Sequence, residues 1–153
     1  MTFKSPTPSN VSPEHLWQIE QRVLAMPMAK TLGLRYLELQ AGQVVLEMPY
    51  ADAFSFMPGA LQATPVFAVA DFAAVSAAAT LLQPGWSTAT SDTTLKLVAP
   101  AVGAALRARG RVISARKMQT VCAADVFAVG RDGEESLCAT LLATAVHRAP
   151  PSQ

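Results

Sequence analysis

The sequence predicts an α+β domain in which one curved antiparallel sheet wraps a single central helix. Three observations carry that prediction. Residues 62–82, QATPVFAVADFAAVSAAATLL, form one long, almost wholly apolar run with helix signals at both ends. Four strand-like segments follow it, with no second long helical pattern among them. A short amphipathic helix and two strands precede it.

Residues 1–11 are rich in Pro, Ser and Thr and are expected to be disordered or loosely attached. Residues 12–148 are expected to form one domain, and 149–153 a tail. In SPEHLWQIEQRVLAM, Ser12 suits a helix cap, Pro13 the first helical position and Glu14 the first turn, while Leu16, Ile19, Val23 and Leu24 recur at helical spacing. LGLRYLELQAGQVVLEMPY reads as two strands joined around Ala41 and Gly42, with Val44, Leu46 and Met48 alternating against Gln43 and Glu47. ADAFSFMPGAL is read as a loop. In the apolar run Thr64 is expected to cap the helix, Pro65 to lie in its first turn, and Gln-Pro-Gly at 83–85 to end it. Val66, Phe67, Val69, Phe72, Val75, Leu81 and Leu82 cover every side, so this helix is expected to be enclosed by protein. The strands after it are TATSDTTLKLVAP, AALRARGRVIS, TVCAADVFAVG and SLCATLLATAVH, the last two separated by the turn RDGEE. In the second of these, Leu106, Ala108 and Val112 alternate with Arg107, Arg109 and Arg111.

Composition excludes several classes of function. With 153 residues, 51% of them hydrophobic, the chain can bury a core of its own. A net charge of +1 and a charged fraction of 15% argue against a nucleic-acid surface, which needs a concentrated basic face. Only residues 65–82 approach membrane-spanning length, and Asp71 near their centre disfavours insertion by roughly 2.5–3.5 kcal/mol, so a buried helix is the better reading. Cys122 and Cys138 form no Cys-x-x-Cys pair and read as buried free thiols. The N-terminus has no apolar signal-peptide core, and the expected location is the cytoplasm.

Most catalytic classes find no support in the residues. His15 and His147 are the only histidines, neither has a metal-ligand partner at useful spacing, and no Gly-x-Ser-x-Gly elbow or Gly-rich phosphate loop occurs. No metal or cofactor is expected. What remains is Asp71, a carboxylate within an apolar run that contains no basic residue. Such a group either satisfies a structural hydrogen bond or ion pair, or is tuned for chemistry.

The spacing around Asp71 resembles that of the hotdog-fold acyl-CoA thioesterases, in particular the branch named for the phenylacetate-pathway thioesterase. That branch carries Asn-x-x-Gly-x-x-His-Gly-Gly, six further residues, and then an Asp on the central helix. Laid on this chain without gaps, Phe56 takes the asparagine position, Gly59 the first glycine, Gln62 the histidine, Ala63 and Thr64 the two glycines, and Asp71 the acid. TLKLVAPAVGAALRARGRV is similar to the family's strand ending in Pro-Ala, its glycine turn and its basic strand. The resemblance spans roughly residues 28–148. It implies a hotdog fold, thioester hydrolysis and a homodimer or a homotetramer built from two dimers, in which each site joins the acid of one subunit to the helix start of the other.

Thioester hydrolysis needs an attacking oxygen and donors aimed at the oxyanion. Asp71 suits the first role, as base or as nucleophile. The helix start at Thr64, with the amides of Thr64 and Val66, suits the second, and Gln62 offers an amide N–H to the thioester oxygen. Thr64 and Asp71 lie two turns apart, about 10 Å by the helical rise, so one helix does not easily serve both ends of one carbonyl. In the resembling enzymes a Ser or Thr on the strand after the helix assists the acid, which makes Thr90 and Ser91 candidates here. Phe56, Gly59 and Ala63 are placed at the substrate by the same alignment. Arg116 and Lys117, at a turn, are candidates for coenzyme A phosphates, whereas Arg107, Arg109 and Arg111 read mainly as the wet face of a strand. Met26, Met28, Met57, Phe54 and Phe56 either line an acyl tunnel or fill core. The alternative reading is a hotdog protein that binds acyl-CoA or an acyl chain without turnover, because four signature positions are altered.

Overall fold

The computed structural model describes residues 11–151. The N-terminal segment expected to be disordered therefore lies, apart from Val11, outside the described residues, as do the last two residues of the tail. Helix α1 spans Pro13–Leu24, with the Ser12 hydroxyl accepting from the His15 amide at 3.1 Å and Pro13 at the first position. A second helix follows, α2, Pro27–Leu32, closed by Gly33 at φ 66. The sequence reading had no element there, because six residues are too few to display a period. Strands β1 (Arg35–Gln40) and β2 (Gln43–Pro49) form the expected hairpin, with Gly42 supplying a left-handed position at φ 76.

The segment read as a loop is more ordered than that. It contains a single 3-10 turn at Asp52–Phe54 and two short paired strands, β3 (Ser55–Met57) and β4 (Ala60–Leu61). The central helix α3 runs Ala63–Ala79, and strands β5 (Ser87–Leu97), β6 (Ala105–Ala115), β7 (Gln119–Val129) and β8 (Glu135–Arg148) follow. The main sheet has the order β1-β2-β6-β7-β8-β5 with every pair antiparallel. It curves around α3, the arrangement the hotdog resemblance implies.

Three corrections concern α3. Its N-cap is Gln62, not Thr64, and its last helical residue is Ala79, before the Gln-Pro-Gly signal is reached. The entry is set by tertiary bonds: the Leu61 amide donates to the Ala101 carbonyl at 3.0 Å and the Gln62 amide to the Phe54 carbonyl at 2.9 Å, leaving Ala63 as the first residue free to turn. At the exit, Thr80 takes over, its hydroxyl donating to the Ala77 carbonyl and accepting from the Gly42 amide, both at 2.7 Å. Nor is α3 enclosed on all sides. Val66, Val69, Ala70, Ala73, Ala74, Ala77 and Ala78 pack on the sheet, but Ala68, Asp71, Phe72, Val75 and Ala79 form a half-open stripe and Phe67 is exposed. The alanines let sheet and helix come so close that a Cβ on Gly110 of β6 would run into the Ala73 carbonyl.

On the outer face of the sheet, the arginines are tied down rather than freely solvated. Arg107 binds Glu47 at 2.7 Å and also Glu135, Arg109 binds Glu135 at 2.6 Å and stacks over the Phe127 ring at 4.7 Å, and Arg111 binds Asp125 at 2.8 Å. Glu47, which alternates outward as expected, is nonetheless buried beneath Arg107 and Arg35. Burial alone would raise its pKa, but the hydrogen bonds from Arg107 and then Arg35 outweigh that and hold the carboxyl below its ordinary value. Its folded pKa being the lower one, the stabilisation is present above the ordinary carboxylate range and is lost as pH falls through the folded value. Replacing Glu47 by Gln is expected to cost about 1–3 kcal/mol, since one of its two partners is largely exposed. Chemical denaturation checks this: an unchanged midpoint would mean the network contributes nothing.

Candidate active site

The half-open side of α3 carries the candidate carboxylate. Asp71 is half-buried there and lines a cavity of about 390 Å³ between α3, α1 and the segment 85–90. The walls are mainly apolar: Ile19 and Val23 from α1, Met26 at the start of α2, Phe72, Val75 and Leu82 from the central helix and its exit, and Trp86. Thr90 of β5 lines the same cavity, and its hydroxyl donates to Asp71 Oδ1 at 2.8 Å. Asp71 Oδ2 has no protein partner among the described residues and is not a sealed orphan. Burial pushes the Asp71 pKa above its ordinary value of 3.8, and the Thr90 hydrogen bond offsets part of that rise. The result is a carboxylate in apolar surroundings with one oxygen held and the other available.

The helix start opens on a different space. A second cavity of about 440 Å³ is lined by Phe56, Leu61, Ala63, Val66 and residues 97–101. With Gln62 as cap, the unpaired amides at this end are those of Ala63 and Thr64: Pro65 has none, and Val66, fourth in the helix, faces the Gln62 carbonyl. This corrects the expected pair, Thr64 and Val66, by one residue. Gln62 and Thr64 are exposed, and the Gly59 turn, at φ 81, is held by its amide donating to the Tyr50 hydroxyl at 3.0 Å. Ala63 and Asp71 are eight residues apart, about 12 Å along the helix, and neither of these two cavities holds both.

Other candidates lie elsewhere. Ser91 is exposed and its hydroxyl donates to the Thr144 carbonyl at 3.1 Å rather than toward Asp71. Arg116 and Lys117 sit in the exposed β6–β7 turn and line neither cavity. Met26 lines the Asp71 cavity, while Met28 and Met57 are exposed elsewhere. The two cysteines are free and buried, and burial first, then the charge of Asp71, pushes the Cys122 thiol up to about 11, far from a nucleophile's range. Among the described residues no three His, Cys, Asp or Glu side chains gather as a metal site. No helix among them is long and apolar enough to cross a membrane.

The sequence reading missed the polar residues on the α1 wall, His15, Gln18 and Arg22, and also His147. The α1 residues recur at helical spacing beside Ile19 and Val23, but only the packing of α1 over α3 shows that they border a cavity. His15 Nε2 is buried there without a hydrogen-bond partner among the described residues. His147, on β8, is buried between two threonine hydroxyls, Thr120 at 2.9 Å and Thr88 at 3.0 Å, and burial lowers its pKa from 6.5. The unfolded chain then takes up the proton first, so folding stability is expected to fall as pH drops below about 6.5, an effect that His147→Gln should reduce. Thermal unfolding between pH 5 and 7.5 measures it.

No protein-family model matches the chain, and no curated protein matches its sequence. Solved structures do. A thioesterase family protein from Silicibacter pomeroyi is 32% identical with a TM-score of 0.83, the alignment covering 88% of this chain and 98% of that one. The chain belongs to the thioesterase family. Two further structures share the fold of this thioesterase family member: a phenylacetic acid degradation-related protein from Ralstonia eutropha, at 24% identity and a TM-score of 0.71 over 84% of this chain and 98% of that one, and the E. coli PaaI protein from the phenylacetic acid degradation operon, at 18% identity and 0.75 over 90% and 96%. The thioesterase-type hotdog fold is thus common to all of them.

Proposed function

We propose that this thioesterase family member hydrolyses acyl-CoA thioesters as a homodimer, with Asp71 as the catalytic carboxylate. The observation that carries the reading is the half-buried Asp71, one oxygen held by Thr90 at 2.8 Å, at the wall of an otherwise largely apolar cavity. An acyl group fits that cavity, where Phe72, Val75, Ile19 and Val23 exclude water. The carboxylate takes a proton from water, the water oxygen adds to the carbonyl carbon, and the carbon–sulfur bond then breaks. The CoA thiolate leaves with that proton, giving a carboxylic acid and free CoA. Direct attack by Asp71 through an anhydride, which water then opens, reaches the same products; solvent oxygen found in Asp71 after a single turnover in oxygen-18 water marks that route with opening at the aspartyl carbonyl.

The oxyanion is met by the backbone amides of Ala63 and Thr64 of a second copy, with the side-chain amide of Gln62 beside them. Two features support the pairing. Asp71 and the helix start open on separate cavities within one chain, and Phe56, Leu97 and Val98, which border the second cavity, are large, apolar and exposed. A dimer or a dimer of dimers is the expected state in solution, read by light scattering. Two free buried cysteines suit the cytoplasm.

The test is release of free thiol by purified protein from a panel of aliphatic and aromatic acyl-CoAs. Turnover supports the reading. Tight CoA binding with no thiol released from any substrate would replace it with the non-catalytic binder, which Phe56, 63% exposed at the position where relatives have asparagine, already favours in one respect: a phenyl ring polarises no carbonyl.

A further inference from the structure

The Asp71 cavity is longer and more polar than a plain hydrocarbon tail requires. Asp71, Phe72, Val75, Ser76 and Ala79 line it in turn, so it follows α3 for about 12 Å from the carboxylate. At about 390 Å³ it has more than twice the volume of the cavity of about 150 Å³ that holds one benzene ring. In the proposed dimer the second copy's helix start meets the carbonyl at the Asp71 end, so the rest of the acyl group runs the other way, between α3 and α1.

Donors without acceptors line that remote part. Ser76 is 3% exposed, and its oxygen accepts from the Tyr36 hydroxyl at 2.8 Å. Thr31 and Thr80 return their hydroxyl protons to carbonyls about one turn back, at 2.9 and 2.7 Å, but the Ser76 proton meets no acceptor among the described residues. Burial pushes the Tyr36 pKa up to about 12, so the phenol keeps its proton and remains the donor of this pair. On the facing wall, His15, Gln18 and Arg22 lie along one stripe of α1, and His15 Nε2 is the buried nitrogen left without a partner. Among the described residues that line the cavity Arg22 is the only lysine or arginine. It has no ion-pair partner among the described residues, whereas Arg35, Arg107, Arg109 and Arg111 are all paired. Neither glutamate of α1, Glu14 or Glu20, lines the cavity. The wall remote from Asp71 thus offers a cation and hydrogen-bond donors, and no anion.

We infer that the cavity takes the half-thioester of a dicarboxylic acid, whose far carboxylate is received between α1 and α3 by the Arg22 guanidinium and the Ser76 hydroxyl. A carboxylate accepts from both, and the planar fork of arginine matches its two oxygens. His15 Nε2 adds a third donor in the tautomer that carries the proton there. Tyr36 is a positioning residue: a helical serine otherwise tends to bond the carbonyl four residues back, and the Tyr36 hydroxyl holds Ser76 away from it. The kinetic consequence rests on the thioesterase reading, whereas the binding does not.

Two series of ligands test this. In the first, the purified protein is given adipyl-CoA and suberyl-CoA beside hexanoyl-CoA and octanoyl-CoA, chains of matched length. Charge-assisted hydrogen bonds at the far end are expected to favour the carboxylate-ended chains about ten- to a hundredfold in kcat/KM. Arg22→Gln should bring that ratio most of the way to one, Arg22→Lys should keep part of it, and Ser76→Ala and Tyr36→Phe should lower it alike. Because a ratio is read, a general loss from poor folding does not imitate the effect. Turnover with equal kcat/KM for matched chains, or a ratio that Arg22→Gln leaves unchanged, overturns the inference and leaves the thioesterase reading standing. The second series consists of S-alkyl thioethers of CoA, which have no carbonyl to attack and end in a methyl, a hydroxyl or a carboxylate. Calorimetry should show the carboxylate ligand binding about tenfold tighter than the other two, a margin lost in Arg22→Gln. Equal binding of all three, binding of none, or a hydroxyl bound as tightly as a carboxylate overturns the inference. Tight carboxylate binding by a protein that cleaves none of the thioesters leaves it standing and sinks the thioesterase reading instead.

Discussion

Asp71→Asn is expected to lower kcat for thioester hydrolysis about a thousandfold while leaving the fold intact. Asparagine keeps the shape and an acceptor for the Thr90 hydroxyl but takes no proton from water and forms no acyl anhydride. The stability outcome has a definite sign. Because burial raises the folded pKa of Asp71 above its unfolded value, ionising it costs the folded state stability, and that cost appears as pH rises through the window above 3.8. The asparagine variant escapes the cost, so its Tm at neutral pH should equal or exceed that of the unsubstituted protein, and the difference should vanish in acid. In the unsubstituted protein kcat/KM should rise with pH along the same titration, with a midpoint above 3.8. Full activity in the variant would end the catalytic assignment. A large fall in Tm would make Asp71 a structural carboxylate.

Gly110→Ala is expected to destabilise the domain by roughly 3 kcal/mol, a fall in Tm of roughly 10 °C, although alanine is a small and hydrophobic residue. The cause is backbone meeting backbone: the added methyl lands on the Ala73 carbonyl in the middle of α3, and neither the helix nor β6, paired on both sides, can retreat without disturbing the core. An unchanged Tm would show that helix and sheet are farther apart than the alanine-rich face of α3 allows.

Features that depend on near neighbours in the chain were legible. Ser12, Pro13 and Glu14 announce α1 because a cap is satisfied within one turn, and Val44, Leu46 and Met48 announce β2 because alternation is a property of the strand itself. Helix α2 starts at a proline, Pro27, and stops at a glycine, Gly33, but its six residues show no period that would announce a helix. The cap of α3 illustrates the limit. Local rules favour Thr64, yet Phe54, in the preceding turn, and Ala101, far along the chain, bind the preceding amides and move the start to Ala63.

The sequence by itself determined the order of elements, the apolar helix at the centre and the carboxylate placed within it, since hydrophobic period and turn chemistry act over a few residues. Only the tertiary structure decided that Asp71 faces a cavity roofed by α1, that Thr90 rather than Ser91 reaches it, and that the arginines of β6 are spent on Glu47, Glu135 and Asp125. Each of these depends on which strand lies beside which and where a bulge turns a side chain over. Such choices are settled by packing among residues dozens of positions apart, and no local pattern encodes them.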